Sequence, residues 1–207
     1  MRNLKLSLFF LLVFLQFSYC QEFKNEDRNS IFLICRGTKS KQNIVAKDFN
    51  LKDTLITHIG IGFIKDEELV VFNVSNFKTD EKGSALISES YASFVNLTDI
   101  TYSSIWKIKS DEKEIAKLKS TLEEYSKNKI RFDNFFILDE SNDYYCSEFI
   151  YTVLKKVNRN KFNFNPINKK LNTFYSNALH RKEFLYIPVD FFQSFNVFEK
   201  FYEKKYL

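Results

Sequence analysis

The chain is poor in the residues that most often advertise a function. Its 207 residues include 4 Gly, 2 Pro, 3 Cys, 2 His, 1 Met and 1 Trp. Glycines are too few and too scattered for a phosphate-binding loop. Three cysteines in a chain of this length do not make a disulfide scaffold. No His, Cys and acidic residues stand at metal-ligand spacing, so neither a metal nor another cofactor is expected. Excess charge is also small, at +5 with the lysines dispersed. That reads as a solvated surface rather than a face for nucleic acid.

The one long apolar run lies at the start. Arg2 and Lys5 precede Leu6 to Phe17, and Ser18 and Cys20 stand three and one positions before Gln21. This is the pattern of a secretory signal peptide over residues 1–20, too short for a comfortable membrane span. A lipoprotein reading would acylate Cys20, but Tyr19 is bulky where such signals use small residues. Loss of Arg2 and Lys5 lowers the net charge from +5 to +3. The expected location is therefore periplasmic or extracellular, with peripheral association with the envelope as one option. Residues 21–30 read as a polar leader and 31–207 as a single domain. Cys35 and Cys146 remain. They could pair in an oxidising compartment, but Cys35, ending Ile31-Phe32-Leu33-Ile34-Cys35, reads as a small buried residue.

Hydropathy gives a strand at Ile31 to Arg36 and a hairpin from Thr54–Ile64 and Glu68–Val74. Ser84 to Leu97 is ambiguous, with a short helix as its reading. Ile100 to Ile108 reads as a strand. Ile115, Leu118, Leu122 and Tyr125 repeat at helical spacing behind Ser110, the expected cap; Lys113 then occupies the place a capping box would give to Glu. Tyr145 to Val157 is a second helix, with Asp143 as its expected cap. Asn158 to Asn172 reads as a loop, and Tyr186 to Phe195 as a last strand or closing segment.

Two motifs carry chemistry. In Thr57-His58-Ile59-Gly60-Ile61-Gly62, Ile59 and Ile61 point one way and His58, Gly60 and Gly62 the other. The glycines let another backbone or a ligand approach closely. A turn centred between Lys65 and Asp66 would set Asn73 opposite His58, able to orient the imidazole. In Tyr144-Tyr145-Cys146-Ser147-Glu148, Cys146 begins a helix and heads the stripe of Ile150, Val153 and Val157. Free amides and the helix dipole there favour a thiolate and should lower the thiol pKa. Either residue alone also fits a plain packing role; together they are a nucleophile and its base.

The pair resembles the permuted papain-like amidases, the YiiX/YaeF-like cysteine hydrolases of the NlpC superfamily. His58-Ile59-Gly60-Ile61 matches an early His-(Val/Ile)-Gly-Ile strand, and Tyr145-Cys146-Ser147-Glu148 a later Tyr-Cys-Ser-Glu helix start. Asp133, Phe136, Pro188 and Asp190 match further positions, so the resemblance runs from about Ile31 to Phe195. It implies an α+β permuted papain-like (NlpC-like) fold, an antiparallel sheet or small barrel packed against the nucleophile helix. It implies Cys146 as nucleophile, His58 as base and Asn73 in a third position that is often Glu in these proteins. Tyr145 is a candidate oxyanion donor. The implied activity is hydrolysis of amide or ester bonds in a peptide, peptidoglycan or lipid-amide substrate. The alternatives are lipid acyl transfer on the same fold and a non-catalytic module binding lipid or peptide.

Overall fold

The computed structural model describes residues 25–40, 44–139 and 141–206. The signal-peptide reading and Cys20 lie outside the described residues. Asn25–Asn29 form a 3-10 turn leading into the sheet, and Asp27 in it pairs with Lys107 at 3.1 Å.

The fold is α+β. Six strands form one antiparallel sheet in the order β10-β5-β1-β2-β3-β4, with β1 Ser30–Thr38, β2 His58–Lys65, β3 Glu68–Val74, β4 Leu86–Ser90, β5 Ile100–Lys109 and β10 Glu199–Lys205. The apolar run in β1 does not alternate because both of its faces are covered. Ile31, Leu33 and Cys35 meet the cluster under helices α3 (Glu112–Lys127) and α4 (Cys146–Val157). Phe32 and Ile34 meet the opposite cluster, where α2 (Tyr91–Val95) adds Phe94. A short α1 (Ile44–Phe49) follows β1, and α5 (Thr173–Leu179) lies between β8 (Ile167–Lys170) and β9 (Glu183–Tyr186). The pair β6 (Arg131–Phe132) and β7 (Asp143–Tyr144) is parallel.

Several expectations are corrected. The ambiguous stretch Ser84 to Leu97 is strand β4 followed by α2. Asn158 to Asn172 contains β8, and β10 was not foreseen. The caps move by one or two residues. Asp111, not Ser110, caps α3: its carboxylate accepts from Glu114 N–H at 2.8 Å, and Glu114 accepts from Asp111 N–H at 3.3 Å, so the capping box is present. The residue before Cys146 is the cap of α4, because Asp143 is occupied in β7 and grips Arg131 at 2.7 and 3.0 Å.

The hairpin register also differs. Lys65 pairs with Glu68, so the turn is centred between Asp66 and Glu67, both at positive φ (49° and 69°). This is the two-residue loop whose twist matches the strands, built here without its usual glycine. Asn73 therefore lies beside Gly60 rather than opposite His58. The shift is by an even number of residues, so Asn73 keeps the face of His58.

Candidate active site

The β2–β3 ladder ends at Ile61 and Phe72, so His58, Ile59 and Gly60 run past its last pair. Here the two halves of the site meet. Alternation places His58 and Gly62 on the face of Ile34 and Phe94: the His58 ring stacks on Phe94 with centroids 5.8 Å apart. Helix α4 packs on the other face, against Ile59 and Ile61. Cys146 is its first residue, and the nearby backbone N–H groups of Ile59 and Ser147 favour its thiolate. The thiol thus sits at the backbone of the residue next to His58. The close approach that the glycines allow is made by the backbone of β3. A Cβ on Gly60 would lie 2.6 Å from Val71 Cγ1, and one on Gly62 would meet Val70 O, so β3 fills the space.

His58 Nε2 lies 2.9 Å from Asn73 Oδ1. Asn73 Nδ2 in turn donates to Glu89 Oε1 at 3.0 Å, and Lys78 and Ser93 bind the other Glu89 oxygen at 3.0 and 2.9 Å. Burial opposes the charge on Glu89, but these bonds outweigh it and hold its carboxyl below the usual range. An ionised carboxylate only accepts, so it fixes the amide with Nδ2 toward itself and Oδ1 toward the histidine. His58 must then carry its proton on Nε2, leaving the Nδ1 lone pair free. Sequence reasoning misses Glu89 because it falls in the ambiguous stretch read as a short helix, whereas it lies on strand β4.

The electrostatics correct another expectation. Burial, with Cys146 only 8% exposed, raises its thiol pKa above 9.0 despite Ile59 N–H, Ser147 N–H and Arg36. Burial, then the charge of Arg36, lowers His58 to about 3, and the Asn73 bond only partly offsets this. The resting pair is therefore neutral thiol and neutral imidazole. Desolvation outweighs the helix end. Cys35 is a free, buried thiol whose pKa is also raised by burial.

Polar clamps build the surrounding walls. Asp133 accepts from Phe135 N–H at 2.7 Å and from Ile137 N–H, making the turn that holds Phe136 at φ 54° with its ring edge-on to Tyr145. The Tyr145 hydroxyl accepts from Ile187 N–H at 2.9 Å, and Ser147 Oγ donates to Ile187 O at 2.6 Å. Both ends of one residue are thus tied to the start of α4. Asp190 accepts from the N–H groups of Leu51, Lys52 and Asp53 at 2.7–2.9 Å, fixing the loop that leads into His58. Together these elements enclose a cleft of about 480 Å³ lined by Cys146, His58, Asn73, Tyr145 and Arg36, with an apolar wall that includes Phe49, Phe136 and Tyr186.

No family model matches the chain, and no curated protein matches it. Among solved structures it is similar to the crystal structure of metalloprotein yiiX from Escherichia coli O157:H7, DUF1105. The likeness covers 86% of this chain and 99% of that one, at 15% identity and a TM-score of 0.59. At this identity it shows a shared fold. That protein is described as a metalloprotein. Among the described residues here, no three His, Cys, Asp or Glu side chains converge as metal ligands would.

Proposed function

We propose that the chain is an exported cysteine hydrolase of permuted papain-like fold that cleaves an amide or ester bond in a peptide, peptidoglycan or lipid-linked substrate. One observation carries the reading. The Cys146 thiol and a His58 whose tautomer leaves Nδ1 free border one cleft, and the sulfur sits at the N–H of the next residue, Ile59. Nδ1 takes the thiol proton as sulfur attacks the carbonyl carbon, and the carbonyl electron pair moves to oxygen. The Cys146 N–H at the head of α4 receives that oxyanion, with the Tyr145 O–H as a second donor. Collapse expels the amine or alcohol, which takes the proton from His58. Water, deprotonated by His58, then attacks the thioester carbonyl; collapse breaks the C–S bond, frees the acid, and the His58 proton returns to the Cys146 sulfur.

The elevated thiol favours a second reading, a binding module without turnover. Reaction with iodoacetamide at pH 7 separates the two. The hydrolase reading expects Cys146 to react faster than a free model thiol, and His58→Ala to slow it about 100-fold. Reaction no faster than the free thiol and indifferent to His58→Ala would leave the binding module, which predicts that Cys146→Ala retains ligand.

A further inference from the structure

Arg36 ends the apolar run of β1 and stands beside His58 in the β1–β2 ladder. One guanidinium nitrogen donates to Phe94 O at 2.6 Å, and the group lies 4.2 Å above the Phe94 ring. This is the guanidinium's only hydrogen bond among the described residues, and it pairs with no carboxylate there. Its remaining donors are not sealed in protein, because the residue lines the cleft. Its charge acts on Cys146 and His58 alike. A partly buried cation in a cleft, with a fork of unused donors, is matched by a planar anion with two oxygens. Glu89 and Asp99 line the same cleft, and their charges act on Arg36. They disfavour a dianion such as phosphate and leave room for a single negative charge.

We propose that Arg36 is a carboxylate subsite, so that the substrate is an amide or ester carrying a free carboxylate near its scissile carbonyl, as in N-acyl amino acids or peptide ends. This deepens the hydrolase reading and rests on it. Occupation by a carboxylate would also cancel the repulsion that Arg36 exerts on an imidazolium at His58. Docking the correct substrate would thereby make the base more willing to take the thiol proton.

The test compares iodoacetate with iodoacetamide. In both, sulfur displaces iodide and the thiol proton leaves to His58; only the former carries a carboxylate. The ratio of their rates at Cys146 should exceed that of a free model thiol about tenfold. Arg36→Gln should return the ratio to the free-thiol value, and Arg36→Lys, which keeps the charge without the fork, should lose most of the excess. A ratio equal to the free thiol's in the parent, or unchanged by Arg36→Gln, overturns the subsite. A second measurement stands apart from thiol reactivity. At pH 7, N-acetylglycine should shift the His58 imidazole resonance saturably in the parent and not in Arg36→Gln, while N-acetylglycinamide should leave it in place. Equal shifts from both compounds, or none from either, overturn the proposal. A thiol inert to both reagents with the N-acetylglycine shift intact would sink the hydrolase reading and leave the subsite standing.

Discussion

Asn73 is the residue through which the charge of Glu89 reaches the base. Its amide cannot flip without setting an N–H against the imidazole N–H, so it selects one tautomer. Asn73→Ala should slow iodoacetamide labelling of Cys146 about tenfold, the worth of one buried hydrogen bond, while leaving the denaturation curve cooperative. A rate equal to the parent's would show that the imidazole is held by Phe94 stacking alone. The thiol itself carries a second prediction. Its pKa is raised above 9.0, so the ultraviolet thiolate absorbance lost in Cys146→Ala should be absent at pH 7 and appear only above pH 9. Thiolate absorbance at neutral pH would mean that an ion pair, not a neutral pair, is the resting state.

At the scale of elements, periodicity marked α3 and α4 and the start of α4 at Cys146, while the capping residue of each differs from the expected one. Asp111 and Ser110 are both good caps, and only the position of Glu114 three residues after Asp111 decides between them. Asp111→Ala should cost about 1 kcal/mol in denaturant unfolding, and Ser110→Ala clearly less. The turn at Asp66 and Glu67 was misread because neither residue is the glycine that left-handed φ favours. Strand β10 was illegible because Glu199-Lys200-Phe201-Tyr202-Glu203-Lys204-Lys205 is an edge strand with one exposed side, and its charges mask alternation. Asp190 shows how a distant element can set the site. Its three charge-assisted bonds hold the loop before His58, so Asp190→Ala should lower stability by about 2–4 kcal/mol and also slow Cys146 labelling. Loss of stability without any change in labelling would separate that loop from the site.

For the molecule as a whole, buried titratable groups act on stability in opposite directions. Glu148, in the first turn of α4, is fully buried, and burial, then the charges of Asp133 and Asp139, raises it from 4.5 to about 8. The fold binds a proton that the unfolded chain has released, so the contribution of Glu148 is complete below pH 4.5 and is lost as pH rises to about 8. His58 works the other way: lowered from 6.5 to about 3, it loses stability as pH falls across that window. Glu148→Gln should flatten the alkaline decline and gain about 2 kcal/mol at pH 8 relative to the parent, measured by urea unfolding across pH. A parallel curve would show Glu148 already ionised in the fold.

What the sequence conveyed of the site follows the same physics. His58, Asn73 and Cys146 were legible because strand alternation and a helix start each constrain where one residue can point. Arg36 ended an apolar run and was passed over, and Glu89 lay on a strand only five residues long. The meeting of two sheet faces at the ladder's end is tertiary and leaves no local mark. The sign of the thiol shift was misread for a related reason: the helix end is visible in sequence, and the burial that outweighs it is not.

The most direct test is the rate of Cys146 labelling by iodoacetamide from pH 8 down to pH 5, in the parent and in His58→Ala. With His58 neutral down to about pH 3, the parent rate should hold across this range and exceed that of His58→Ala throughout. A parent rate that falls tenfold per pH unit and matches His58→Ala would show an ordinary buried thiol with no base beside it.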